Sequence, residues 1–99
     1  MFVKIGSVEI EEVDLGAVGT LGFGARGFDF RGVAPEGKGK RIVDALSSLK
    51  GQKGIECEAE TLNHHRVGPG YGCLEQFDSK VDDKTAPVTY RFSGVVKLF

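Results

Sequence analysis

The chain has 99 residues, of which 40% are hydrophobic and 27% are charged, and its formal net charge is −1. This length accommodates one hydrophobic core, so we expect a single domain over residues 1–99. The near-neutral charge argues against nucleic acid as a partner. The sequence has no membrane-length apolar run and no signal-peptide plan, so we expect a cytoplasmic protein without membrane contact.

Glycine is the compositional outlier, with 15 residues, and such density without a collagen-like period is typical of β-rich proteins. Two alternating runs, Phe2–Ile5 and Val8–Val13, predict a hairpin around Gly6-Ser7 with a type II′ turn. The segment Asp14–Gly27, which carries five glycines, is predicted as a loop with a short strand piece around Ala17–Leu21.

The clearest local prediction is one amphipathic helix over about residues 38–50. Ile42, Leu46 and Leu49 recur at the spacing of a single helical face. Gly51 supplies the residue type that commonly follows a helix end.

Alternation predicts four further strands: Gly27–Val33, Ile55–Leu62, Tyr71–Val81 and a long closing run within Pro87–Phe99. Because the strands do not alternate with helices, we expect an α+β fold. Its form is a mostly antiparallel β sandwich or partly closed barrel with one packed α-helix. The expected core comprises Phe28, Phe30, Ile42, Leu46, Leu49, Ile55, Cys57, Phe77, Tyr90, Phe92, Val96 and Leu98.

Two details of the second half bear on function. Glu56, Glu58 and Glu60 alternate along one predicted strand, so we expect a solvent-facing acidic face whose carboxyl groups have ordinary acidity. The next segment, Asn63–Gly70, is predicted as a loop.

Gly22–Gly27 matches the dinucleotide fingerprint G-x-G-x-x-G in its letters. That fingerprint binds a pyrophosphate only where a helix follows it. Here Phe28 and Phe30 alternate with Asp29 as in a strand, so we interpret the match as a glycine-rich turn and expect no nucleotide cofactor.

The remaining candidate chemistry is weak. Cys57 and Cys73, with His64 and His65 between them, lack the ligand spacing of zinc sites, so two buried or half-buried thiols and two solvated histidines are expected. No nucleophile elbow surrounds any serine. We therefore expect a non-enzymatic protein without metal or cofactor.

One charged constellation remains as a candidate contact site. Lys38, Lys40 and Arg41 lie at the expected start of the helix, and Glu9, Glu11 and Glu12 form an acidic run near the N-terminus. A helix start that carries cations is typical of a solvated loop, an anion site or a contact with an acidic partner face. In a ring of identical subunits, the basic group of one subunit is able to contact the acidic group of the next.

The element order resembles that of small phage tail proteins of the tail-protein-U and distal-tail type. The residues that carry the resemblance are Val3–Ile10, Phe28–Gly32, Ile42–Leu49, Gly72–Phe77, the turn Asp82–Pro87 and Tyr90–Leu98. In the same order, these segments correspond to a first hairpin, an aromatic-x-aromatic-x-Gly strand, an amphipathic helix, later strands, a polar turn and a closing strand.

The resemblance implies a structural protein that assembles into a ring, with other tail-type proteins as partners and a virion or phage-like particle as its location. The glycine-rich segment 16–27 would then be an arm that becomes ordered on assembly. The alternative that the residues leave open is a small β-rich binding module for a ligand or protein partner, from a mobile element.

Overall fold

The computed structural model describes residues 1–22, 24–84 and 86–99. The strands are β1 (Phe2–Ile5), β2 (Val8–Ile10), β3 (Leu15–Thr20), β4 (Gly27–Pro35), β5 (Ile55–Glu60), β6 (Arg66–Asp82) and β7 (Thr89–Leu98). One α-helix, α1 (Glu36–Leu49), lies between β4 and β5, and a short 3-10 turn occupies Glu12–Asp14. Among these residues, no helix combines the length and the apolarity that crossing a membrane requires.

The seven strands form one antiparallel sheet in the order β2-β1-β5-β6-β7-β4-β3. The chain passes from Ile10 at one edge of this sheet to Leu15 at the other edge. Those five steps span at most about 18 Å, whereas the edges of a flat seven-stranded sheet lie about 29 Å apart. The sheet is therefore strongly curled without being closed, and the expected α+β fold is confirmed.

The N-terminal hairpin is confirmed, but its second strand is shorter than predicted. Gly6 has a φ of 60°, which suits the first central position of the predicted type II′ turn. Strand β2 ends at Ile10, and Glu12–Asp14 form the 3-10 turn in place of the strand end expected at Val13. The alternation breaks at Glu12, which takes the next inward position after Ile10, and Val13 is 77% exposed where the chain turns toward β3.

Helix α1 confirms the predicted helix and begins two residues earlier. Pro35 precedes it with an extended backbone and pairs with Thr89 as the last residue of β4, so the helix begins directly where the strand ends. Ile42 and Leu46 are buried, and Leu49 is half-buried against the core. The helix packs on β7, β4, β6 and β2, so it covers the interior of the curled sheet.

The core is the inner face of the sheet closed by α1. The buried core residues are Val3, Ile5, Ile10, Leu15, Val18, Phe28, Phe30, Ala34, Ile42, Leu46, Cys57, Ala59, Leu74, Phe77, Phe92, Val96 and Leu98. Nine of the twelve expected core residues belong to this set, while Leu49, Ile55 and Tyr90 are half-buried.

Three aromatic rings on neighbouring strands form the centre of the core. The ring centroids lie 6.4 Å apart for Phe28 and Phe30, and 6.3 Å apart for Phe30 and Phe92. Gly94 makes room for them, since a Cβ at this position would lie 2.7 Å from the Phe30 ring. The glycine in the closing strand is therefore required by packing.

Two predicted loops are partly strands. Leu15–Thr20, most of the first half of the glycine-rich segment, is β3 and pairs with β4, so the expectation of an arm that awaits assembly is wrong for these residues. Phe23, in the same segment, and Thr85, in the predicted polar turn, lie outside the described residues. Strand β6 begins at Arg66, inside the loop expected at Asn63–Gly70, because it pairs with β5 from that point.

Replacing Leu46 by alanine is expected to lower the free energy of unfolding by about 2–5 kcal/mol, because Leu46 is completely buried and its removal leaves a cavity. Denaturant unfolding followed by circular dichroism measures this change. Ser47→Ala on the exposed side of the same helix is the matched control, and it should change the value by less than about 0.5 kcal/mol. A loss below about 1 kcal/mol for Leu46→Ala would contradict the helix–sheet packing.

Candidate functional site

The structure brings four of the six predicted contact residues to one place. Glu9 on β2 and Glu11 beside it face Lys38 and Arg41 of α1 across a shallow depression of about 370 Å³. Hence the basic and acidic groups that we expected to meet between subunits line the same depression within one chain.

Lys38 is bound within the chain. Its Nζ donates a hydrogen bond to Oδ2 of Asp14 at 2.7 Å, and the Asp14 side chain is only 5% exposed. A buried carboxylate without a partner is costly, so Lys38 stabilises the 3-10 turn that carries the chain from β2 to β3. Lys40 is exposed on α1 and does not line the depression. Glu12 lies 3.9 Å from the amino group of Met1 and is 67% exposed.

A second surface lies on the opposite side of the sheet. We call the side of β3, β4, β7 and β6 that points away from the core the outer face. Two adjoining depressions of about 410 and 480 Å³ run along it and share Arg31, Asp78 and Ser93. The floor next to β3 is made of small residues, with Gly16, Ala17 and Gly19 among the lining.

Three cations converge on this outer face. Strand pairing places Lys80 of β6 directly opposite Arg91 of β7, and Arg31 of β4 pairs with Ser93, two residues along β7 from Arg91. All three are exposed and line the larger depression. We call Arg31, Lys80 and Arg91 the cationic groove. Like charges directly opposite each other destabilise a sheet.

The charges of the cationic groove are not neutralised by ion pairs. Within the described ranges, none of the six ion pairs involves Arg31, Lys80 or Arg91. Asp78 is the one carboxylate beside them that also lines the larger depression. Sequence analysis missed this group because the three cations belong to three separate strands, which become neighbours only through the pairing of β4 and β6 with β7.

The outer edge of β3 is the third surface of interest. The N–H of Leu21 donates to the carbonyl of Gly27 at 3.2 Å. Because bonded and non-bonded pairs alternate along an antiparallel ladder, the backbone groups of Val18 and Thr20 point away from β4. In the part of the chain that the structure describes, no backbone hydrogen bond joins β3 to a strand other than β4. Strand β3 therefore has an edge whose backbone groups are unpaired, although the curl of the sheet brings β3 near β1. We call this the free edge of β3.

A charged cluster at the end of β5 differs from the acidic face that we expected. Glu60 Oε1 accepts from the amino group of Met1 at 3.2 Å and lies 3.3 Å from Nδ1 of His64. Nε of Arg66 lies 3.6 Å from Oε2 of Glu60, and Nη1 of Arg66 lies 3.9 Å from Oε1 of Glu58. The expectation of a solvent-facing strip is thus correct for Glu56 but wrong for Glu58 and Glu60, which are half-buried under Arg66.

The acidity of Glu60 is altered by these contacts. The Met1 amino group, followed by His64, lowers the pKa of the Glu60 carboxyl below its usual value of 4.5, because both donors favour the ionised form. The expectation of ordinary acidity is therefore wrong for this residue. His64, which we expected to be only solvated, has an exposed ring but contacts Glu60.

The two cysteines are free and buried. Burial, followed by the nearby Cys73, raises the pKa of the Cys57 thiol to about 11. This thiol therefore stays protonated near neutral pH and is a poor nucleophile or metal ligand. Among the described residues, no group of three or more His, Cys, Asp or Glu side chains is placed to hold a metal ion.

The segment with the G-x-G-x-x-G pattern is followed by a strand. Gly27 is the first residue of β4, so the helix N-terminus that a pyrophosphate requires does not follow the motif. A Cβ at Gly27 would clash with the carbonyl of Val96, and the glycine is needed for this close approach to β7.

Comparisons with family models, with characterised proteins and with solved structures find no match for this chain.

Replacing Lys38 by methionine is expected to lower the free energy of unfolding by about 1–3 kcal/mol, because it leaves the buried Asp14 carboxylate without its partner. Chemical denaturation measures the loss. Adding Asp14→Asn to this variant should restore much of the lost stability, since the neutral amide needs no cation as a partner. Lys40→Met is the matched control and should change the value by less than about 0.5 kcal/mol; an equal loss in both lysine variants would disprove the role of the pair.

The lowered pKa of Glu60 predicts a dependence of stability on pH. A carboxyl whose pKa is lower in the folded state stabilises the fold above its unfolded pKa, and this contribution is lost as the pH falls through the folded pKa. Between about pH 6 and about pH 3, wild-type protein should therefore lose more stability than Glu60→Gln. Thermal unfolding across this range measures the difference, and Glu56→Gln on the exposed side of β5 is the control. If stability falls equally with pH in wild type and in Glu60→Gln, the lowered pKa of Glu60 is contradicted.

Proposed function

We propose that this chain is a non-enzymatic structural subunit that assembles with copies of itself into a ring, of the kind that phage tails and related contractile assemblies contain. Other tail-type proteins are its further partners, and a virion or phage-like particle is its location. The observation that carries the proposal is the free edge of β3.

The edge of β3 lacks the charged residues and prolines that protect many strand edges, and its one irregularity is the register shift between Leu15 and Ala17. Leu15–Thr20 contains no charged residue and no proline, and these are the residues that commonly protect an edge. The backbone groups of Val18 and Thr20 are directed outward, where they are able to pair with a strand of another chain. An unprotected edge favours assembly as the normal state of the protein.

The other edge of the sheet is β2, which has a different sequence and length. When two different edges join neighbouring copies, each contact is head-to-tail, and such contacts close into a ring if the rotation per subunit is suitable. The order of strand, helix and closing strand in α1 and its neighbours also agrees with the resemblance to small phage tail proteins. Both points support the ring.

A second candidate function has its own observation. The outer face carries two adjoining depressions with charged and small residues in their lining, and such a concave surface favours a binding module for a ligand or a protein partner. Under this alternative the chain remains a monomer and its partner occupies the outer face.

Native mass spectrometry and sedimentation velocity of wild-type protein, over a range of concentrations, test the proposal. We expect a single closed oligomer that is populated increasingly as the concentration rises. The variant Gly16→Lys/Thr20→Lys places two charges along β3 and should raise the concentration needed for assembly at least about tenfold.

Both substitutions are compatible with the subunit fold. A Cβ at Gly16 would meet only the Arg31 carbonyl oxygen, at 3.7 Å, and Thr20 is exposed. Ser47→Lys/Ser48→Lys on the exposed side of α1 is the matched control and should assemble like wild type. A wild-type protein that stays monomeric at every concentration would overturn the ring and favour the binding module.

A further inference from the structure

We propose that the cationic groove of one copy, formed by Arg31, Lys80 and Arg91, receives the acidic residues Glu9, Glu11 and Glu12 of the next copy. We call these three glutamates the acidic strip. This inference rests on the proposed ring and names the surfaces that join its subunits.

The first step is that the cations of the groove are held in an unfavourable arrangement without ion-pair partners in the described part of the chain. Lys80 and Arg91 are direct cross-strand neighbours, and like charges in this position destabilise a sheet. The larger depression is lined by three cations and one carboxylate, that of Asp78. Asp29 lies beside Arg31 in the adjoining depression, and Asp82 and Asp83 share another depression with Lys80 and Arg91. Positions where a sequence departs from the locally stable choice are commonly functional, and an anionic partner would relieve this repulsion.

The second step is that the chain carries a matching anionic surface. Glu9, Glu11 and Glu12 are exposed, and the one ion pair among them, from Glu12 to the Met1 amino group, is long at 3.9 Å. In the described residues no ion pair links the acidic strip to Lys38 or Arg41, although these cations line the same depression as Glu9 and Glu11. Three carboxylates are thus available to three cations.

The third step is that the two surfaces adjoin the two edges of the sheet. The acidic strip begins on β2, one edge strand, and the cationic groove borders β3, the other edge strand. The outer-face residues of β3 are small, Ala17 and Gly19, so no large side chain separates Arg31 on β4 from the open edge. In a head-to-tail contact between these edges, we therefore expect the strip of one copy to approach the groove of the next.

This assignment replaces the basic partner that the sequence suggested. Lys38 is held by Asp14 within the chain at 2.7 Å. Among the described residues, no ion pair holds Arg31, Lys80 or Arg91 in this way. Charge complementarity of this kind steers association and sets which surfaces pair.

The experiment uses two reversed variants of the full chain. The groove variant is Lys80→Glu/Arg91→Glu, and the strip variant is Glu9→Lys/Glu11→Lys. Each alone places like charges at every subunit contact, so each should assemble roughly a hundredfold more weakly than wild type in native mass spectrometry and sedimentation. An equimolar mixture should assemble again, with the two variants alternating, because each groove then meets a strip of opposite charge.

Controls separate the contact from the fold. Lys40→Glu/Lys53→Glu changes two exposed cations outside the groove and should assemble like wild type. The neutral variant Lys80→Gln/Arg91→Gln removes the repulsion between neighbours, so its monomer should be as stable as wild type or more stable, while its assembly weakens. This variant keeps the test decisive if a reversed variant fails to fold.

The outcomes distinguish the two proposals. A wild-type monomer at all concentrations overturns the ring and this contact together. If wild type forms a ring and both reversed variants form it equally well, the ring proposal stands and the groove–strip contact is overturned. In a further outcome, inorganic phosphate binds wild type but not the neutral variant, and both reversed variants still form the ring. The groove would then be a site for small anions, and the groove–strip contact would again be overturned.

Discussion

The short passage from β2 to β3 is the constraint on which the rest of the structure depends. Four residues join the two edges of a seven-stranded sheet, so the sheet must curl until those edges come close. The curl creates the interior that α1 covers, and it also shapes the outer face. The turn carries a buried carboxylate at Asp14, whose partner Lys38 comes from the first turns of α1. Helix, turn and sheet curvature are thereby coupled through one ion pair.

The parts of the fold that the sequence predicts well are those whose side chains decide the structure. Ile42 and Leu46 mark the helix because both face the core, and the closing strand is evident because apolar residues alternate along it. Strand β3 was only partly predicted, since Gly16 and Gly19 contribute no side chain to an alternating pattern. The start of β6 was missed because Gly68, Pro69 and Gly70 are residues of turns, yet they pair with or border β5.

The candidate site was predicted in part. Glu9, Glu11, Lys38 and Arg41 line one depression of a single chain, and local sequence cannot distinguish such proximity within a chain from a contact between chains. The cationic groove was beyond prediction from the sequence because it depends on strand order. Arg31 and Arg91 become neighbours only because β4 pairs with β7, and Lys80 joins them only because β6 pairs with β7 on the other side.

The central position of β7 also determines how the molecule is able to fold. Strand β7 pairs with β6, its neighbour in sequence, and with β4, where Phe28 meets Val96 from the far end of the chain. Closing a long loop costs conformational entropy before any contact compensates it. We therefore expect the β6–β7 hairpin to form early and the β4–β7 ladder to form late. Until that ladder forms, the hairpin leaves one edge of β7 unpaired and its apolar face partly uncovered. The interval before β4 docks is therefore the period when chains are most prone to aggregate.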